Sequence, residues 1–288
     1  MVAPLELDDA PALPSGHVLL ADQPNAWRAV ADWMAAGVRR HEQVIRASAD
    51  QQTEDLLLRR LTDTHRLDVP ALCRSGQLRQ PPVEEFYAPR EQESVVTSAL
   101  AAGYSGVRVC GAADAALEQM SLSEYDDLEA ELAALCQRYP FSALCPYGEG
   151  LLRDHEDLSI GRHPVVTDSV GCVARRVPAA RPRGAGHGAK GLGVELSGEF
   201  DLGNAELVRS AVARAAGETR EGGTLVLDLS AVSFFGMAAV RAILAGTEAL
   251  RDRDGTVVVQ APGSHLGKIF ELLDLTQVPG VQMGGEAR

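Results

Sequence analysis

"LVLDLSAVSFFGMAAVRAIL", residues 225–244, reads as a buried strand, a tight turn and a helix in immediate succession. Leu225, Val226 and Leu227 form an apolar run that Asp228 and Ser230 interrupt; Phe234 and Phe235 resume it, and Gly236 ends it. From Met237 onward Ala, Val, Ile and Leu recur at helical spacing. A helix start carries unpaired backbone N–H groups, and Ser, Thr, Asp or Asn usually serves them. Here the start is Gly236-Met237, with neither hydroxyl nor carboxylate. A strand that passes directly into a helix is the building unit of a parallel α/β sheet. The missing polar pair marks this turn as the place where function is to be sought.

The same unit recurs on both sides. "LGVELSGEFD" (192–201) predicts a strand and turn, and "NAELVRSAVARAAG" (204–217) a helix with Asn204 as its cap. "TLVLDLS" (224–230) is a central strand, and the helix over 236–255 ends at Gly255. "TVVVQAP" (256–262) is a strand and "SHLGKIFELLDL" (264–275) a final helix. Residues 192–284 therefore form a small α/β domain. Upstream, "HVLLA" (17–21), "EQVIRAS" (42–48), "VEEFYA" (83–88), "GVRVCGA" (106–112) and "FSALCPY" (141–147) read as strands. Helices alternate with them over 25–40, 52–65, 90–104 and 123–139, the last with Ser123 as N-cap. That alternation predicts a second, larger α/β domain over 17–170 with a mostly parallel sheet. Residues 1–16 read as a loose tail. "GCVARRVPAARPRGAGHGAKGLG" (171–193) has five basic residues, no acidic ones and many Gly, Ala and Pro, so 171–191 reads as a basic interdomain linker.

The chain has 288 residues, 45% of them hydrophobic, and a formal net charge of −13. Residues 191–288 hold 8 Lys and Arg against 13 Asp and Glu, and the remainder is also acidic. This argues against binding to a nucleic-acid backbone and against a polybasic membrane anchor. The odd set of five cysteines, Cys73, Cys110, Cys136, Cys145 and Cys172, has no CxxC and reads as reduced, small apolar residues. The opening segment lacks a basic n-region and no run approaches the length of a membrane span, so the expected location is the cytoplasm.

Catalytic and cofactor patterns are not found. After "HVLLA" comes "DQPNAWRAV", without the glycines and lysine of a phosphate loop, and "GAGHGAKG" (184–191) has the wrong spacing and follows no strand. His155 and His163 flank "EDLSIGR" near Glu156 and Asp157, which reads as a solvated loop rather than a ligand cluster. His17 opens an apolar strand and reads as a buried, hydrogen-bonded histidine. Glu124, Asp126, Asp127, Glu129 and Glu131 read as a charged outer helix face. No catalytic residue, metal ligand or cofactor is assigned.

The segments "LSGEFDLGNAELV" (196–208), "LVLDLSAVSFFGMAAVRAIL" and "DGTVVVQAPGSHLGKIFELLDL" (254–275) resemble the STAS family, the anti-sigma factor antagonists. In that family the turn usually reads F-I-D-S-S-G-L, with a Ser that an anti-sigma factor kinase phosphorylates. Gly236 stands where the Asp is usual and Met237 where the Ser is usual, so Met237 is a degenerate phospho-acceptor position. Met237 either packs in the core or faces a partner. "HVLLA", "HEQVIRAS", "GYSGVRVCGAADAAL" (103–117), "LEAELAAL" (128–135) and "YPFSALCPYGEGLL" (139–152) resemble the MEDS sensory domain, which implies a RecA/KaiC-type α/β sandwich without a working phosphate loop.

These resemblances imply a non-catalytic regulator. Its STAS surface, Ser233, Phe235, Gly236, Met237, Ala238 and Arg241, would dock an anti-sigma factor or an anti-sigma kinase-like protein. A small molecule would act on the sensory domain, and a homodimer stays open. The alternatives are a nucleotide-binding switch or enzyme using the RecA-like domain, and a pure oligomerisation module.

Overall fold

The computed structural model describes residues 15–21, 26–48, 50–87, 92–155, 162–168, 172–179, 191–260, 266, 270 and 273–284. The chain divides into two compact units, residues 1–163 with 168–171, and residues 164–167 with 172–288.

In the first unit β1 (His17–Ala21), β2 (Gln43–Ala47), β3 (Leu78–Arg79), β4 (Val107–Gly111) and β5 (Phe141–Tyr147) form a wholly parallel sheet. Their order is β1-β5-β4-β2-β3. The helices between them are α1 (Ala26–Arg39), α2 (Gln51–Asp63), α3 (Val69–Ser75), α4 (Val83–Phe86), α5 (Gln92–Ala101), α6 (Ala113–Leu117) and α7 (Leu122–Arg138), and α8 (Glu149–Asp154) follows β5. Val18, Leu19, Leu20, Val44, Ile45, Ala143 and Leu144 are all buried, as expected of strands covered on both faces.

Two local expectations are corrected. Residues 83–86 are helical rather than extended: Val83 and Phe86 fall three apart and bury on one side, while Glu84 and Glu85 occupy the first turn. Helix α7 is capped by Ser121 and not by Ser123. The Glu124 N–H donates to the Ser121 hydroxyl at 3.3 Å, and the Ser121 N–H donates to the Glu124 carboxylate at 2.8 Å. This reciprocal pair requires a three-residue spacing to an acid, which Ser121-Leu122-Ser123-Glu124 provides.

In the second unit β6 (Val165–Thr167) and β7 (Val173–Ala179) pair antiparallel, as do β7 and β8 (Gly191–Phe200). Then β8, β9 (Thr224–Phe235), β10 (Thr256–Gln260) and β11 (Val281–Met283) run parallel, with α9 (Ala205–Glu218) and α10 (Met237–Arg251) between them. Residues 173–179, read from composition as the start of the linker, are thus a strand. "VARRVPA" has Ala174 buried and Arg175 exposed, and Arg176, on the same face as Ala174, pairs with Glu218 at 2.6 Å, so the two arginines project from opposite faces of a strand. Residues 1–14 of the expected tail, 180–190 of the expected linker, and most of the segment expected as the final helix lie outside the described residues. Leu266 and Phe270 of that segment are buried in the core.

Asn204 stands at the start of α9 as expected. Its side chain accepts from the Asp201 N–H at 3.0 Å and donates to the Glu199 carbonyl at 2.9 Å, which shapes the 199–204 loop. The mixed α/β class with a mostly parallel sheet is the fold that the sequence led us to expect.

Candidate functional site

The turn at Gly236 is built where two chain segments meet. Strand β9 runs on to Phe235, farther than its apolar run suggests, and Gly236 takes an extended backbone (φ −80°, ψ 165°) as the N-cap of α10. Its N–H donates to the Phe200 carbonyl at 2.7 Å, and its carbonyl accepts from Val240 at 3.2 Å. A Cβ at Gly236 would lie 3.3 Å from the Phe200 carbonyl oxygen and 3.5 Å from both the Asp201 Cα and the Phe234 ring. The β8–α9 loop and the β9–α10 junction therefore border one another here. No side chain hydrogen-bonds to the first turn of α10 as a cap.

The sequence-assigned residues divide on burial. Met237 is 48% exposed, so it is not a core residue. Arg241 and Ser233 are exposed and Ala238 is half-buried. The Ser233 hydroxyl donates to the Gly198 carbonyl at 3.1 Å and ties β9 to β8. Phe235 is a correction: it is buried, its ring centroid 6.1 Å from that of Phe200 and 6.2 Å from that of Phe270. Strand alternation explains it, because consecutive side chains face opposite sides. The exposed ring is its neighbour Phe234, at 53%, and Leu202 on the adjoining loop is 85% exposed. Neither was legible as a surface residue, since an apolar run does not say which of two adjacent aromatics faces out.

The first unit has a buried polar centre that the sequence did not announce. Glu129, expected on an outer face, is 1% exposed, because Tyr125, Glu129 and Leu132 follow helical spacing on the inner side of α7. His163, expected in a solvated loop, is fully buried, and Glu156 and Asp157 lie outside the described residues. His17 Nε2 lies 2.7 Å and His163 Nε2 3.1 Å from Oε2 of Glu129. The Tyr125 hydroxyl donates to the other oxygen, Oε1, and the Tyr147 hydroxyl reaches it at 3.4 Å. The Cys145 sulfur is 3.8 Å from His17 Nε2 and 3.9 Å from Glu129 Oε2. Burial would raise the Glu129 carboxyl, but His163 and His17 outweigh it and hold the group well below the usual carboxylate range. Burial pushes the Cys145 thiol far up, with the Glu129 charge adding to it. A cavity of about 30 Å³, lined in part by Tyr125, Glu129 and Cys145, adjoins this centre and has room for one water. None of the five cysteines, all among the described residues, is in a disulfide, and Cys110, Cys145 and Cys172 are buried.

Comparison with known families agrees with both halves of the chain. Residues 18–157 match the family model described as the methanogen/methylotroph, DcmR sensory domain, MEDS. Residues 186–282 match the model described as the Mlab, STAS domain. The chain thus carries a MEDS sensory domain followed by a STAS domain, and both families are regulatory.

No curated protein matches the chain. Among solved structures, the anti-sigma factor antagonist SpoIIAA in its unphosphorylated form is 20% identical, over 33% of this chain and 80% of that one, with a TM-score of 0.26. The flagellar accessory protein FlaH from Methanocaldococcus jannaschii is 11% identical, over 58% of this chain and 75% of that one, with a TM-score of 0.40. The DUF1998 helicase MrfA bound to DNA is 10% identical, over 93% of this chain and 40% of that one, with a TM-score of 0.35. Among the described residues, no helix is long and apolar enough to cross a membrane.

Proposed function

We propose that the chain is a non-catalytic, cytoplasmic regulator of the anti-sigma factor antagonist kind. Its STAS domain docks an anti-sigma factor or a related regulator through the surface around Gly236, and the sensory domain biases that docking on binding a small ligand. The observation that carries this reading is the apolar rim at the start of α10. Leu202, Phe234 and Met237 are exposed on the two segments that border Gly236, and Ala238 and Arg241 continue the same helix. Exposed apolar side chains grouped at a helix start suit a protein partner better than they suit water. A thioether accepts no phosphoryl group, so the docking is not switched off at residue 237.

The full chain incubated with an anti-sigma kinase-like protein and ATP tests this. The native protein should bind it and gain no phosphate by intact mass. The double variant Gly236→Asp with Met237→Ser should gain one phosphate. Equal phosphorylation of both proteins, or loss of native binding on adding ATP, overturns the unswitched reading.

A further inference from the structure

Four lone-pair donors converge inside the sensory unit: Nε2 of His17, Oε2 of Glu129, Sγ of Cys145 and a ring nitrogen of His163. All lie within 4.8 Å of one another, and all four residues are buried. They come from four separate places in the chain. His17 opens β1, Cys145 lies in β5, Glu129 is on α7 and His163 follows α8. The parallel register sets Leu19 beside Cys145, so His17, two residues before Leu19, projects on the same face of the sheet as Cys145. The inner side of α7 brings Glu129 to that face, at 2.7 Å from His17.

Hydrogen bonding alone does not require such a convergence. The two phenols already hold Oε1 of Glu129, which leaves Oε2 aimed at the histidines. A carboxylate whose outer oxygen is fixed by neighbours is the usual support of a ligating oxygen. Around a tetrahedral zinc, bonds of about 2.0–2.3 Å place ligand atoms roughly 3.3–3.8 Å apart. The O···N separations of 2.7 and 3.1 Å would open by about 0.6 and 0.2 Å to reach that geometry. The sulfur separations of 3.8 and 3.9 Å would close by about 0.3 Å to reach it. Charge also balances: a carboxylate, a thiolate and two neutral imidazoles cancel a divalent cation, where an unpaired buried charge would be costly. A set of two nitrogens, one oxygen and one sulfur in tetrahedral reach suits zinc.

We propose that His17, Glu129, Cys145 and His163 form a tetrahedral site for a zinc-class divalent cation within the sensory unit. With four protein ligands the site is closed, which fits a structural or metal-reporting role better than activation of water. Binding displaces the Cys145 thiol proton to solvent as the sulfur–metal bond forms. The proposal stands independently of what the STAS domain docks.

The untagged full chain, stripped with a chelator, is titrated with cobalt(II) and then with zinc. One cobalt per chain is expected, with the strong visible bands of tetrahedral cobalt and a near-ultraviolet thiolate charge-transfer band. One equivalent of zinc should abolish both. Cys145→Ser should remove the charge-transfer band and weaken zinc binding by at least about tenfold. Cys73→Ser, which changes an exposed thiol outside the cluster, should leave both unchanged. A native protein that binds no stoichiometric cobalt, that shows only weak octahedral bands, or that lacks the thiolate band overturns the proposal, whether or not the Cys145 variant folds. So does a thiolate band that persists in Cys145→Ser.

Discussion

The backbone N–H of Gly236 donates to the carbonyl of Phe200 at 2.7 Å, which fixes the β9–α10 turn against the end of β8. This bond holds the helix start in place without any side-chain cap. It also leaves Met237, the first residue of α10, turned outward.

Met237→Asp is therefore expected to change stability by no more than about 0.5 kcal/mol, as an exposed substitution does. The new carboxylate at a helix N-terminus offsets the lost apolar contact. The same variant should weaken capture of an anti-sigma partner. Thermal melts of the full chain check the first half, and a loss of several kcal/mol would return Met237 to the core.

Phe234 and Phe235 should respond in opposite ways. Phe235→Ala removes a ring packed between Phe200 and Phe270 and should cost about 3–5 kcal/mol, the range for a buried aromatic. Phe234→Ala, at an exposed position, should cost well under about 1 kcal/mol and should weaken partner binding instead. Urea unfolding of the two variants distinguishes them, and equal losses would contradict the alternation described.

Gly246→Ala should destabilise, against the helix propensity of alanine. In an open helix the change stabilises by roughly 1 kcal/mol. At Gly246 the added Cβ would sit 2.7 Å from the Arg209 carbonyl oxygen and 3.2 Å from the Ala213 nitrogen, both backbone atoms of α9. Neither can swing aside, so α9 and α10 must separate, at about 1–3 kcal/mol. A higher melting temperature for Gly246→Ala would contradict the close helix contact.

Acid should weaken the sensory unit through Asp32. Burial raises this carboxyl, but hydrogen bonds from Arg60 at 2.7 Å and His65 at 2.7 Å outweigh it and hold it below its usual range. The contribution is then fully present above the unfolded carboxyl's pKa, about 4, and is lost as the pH falls through the lower folded value. Asp32→Asn should cost up to about 1 kcal/mol at pH 7, as a half-buried ion pair does. The difference from the native protein should shrink below about pH 4. A difference that grows toward low pH, in denaturant titrations at several pH values, would contradict the pairing.

The chain's own pattern carried the α/β class, the two domains and the bare turn. Apolar runs such as "HVLLA" and "LVLDL" and the helical spacing of "GMAAVRAIL" are local signals, readable wherever they occur. Tertiary structure decided what local pattern leaves open. Which of Phe234 and Phe235 faces outward depends on the registration of β9 against β8. Arg175 and Arg176 look like linker residues until β8 pairs with them. Glu129 is one of several acids on its helix, and only the fold turns it inward to meet His17, Cys145 and His163. Those four residues span positions 17 to 163, and no spacing rule connects them. Only the parallel pairing of β1 with β5, together with the helix laid over them, brings them within reach of one ion.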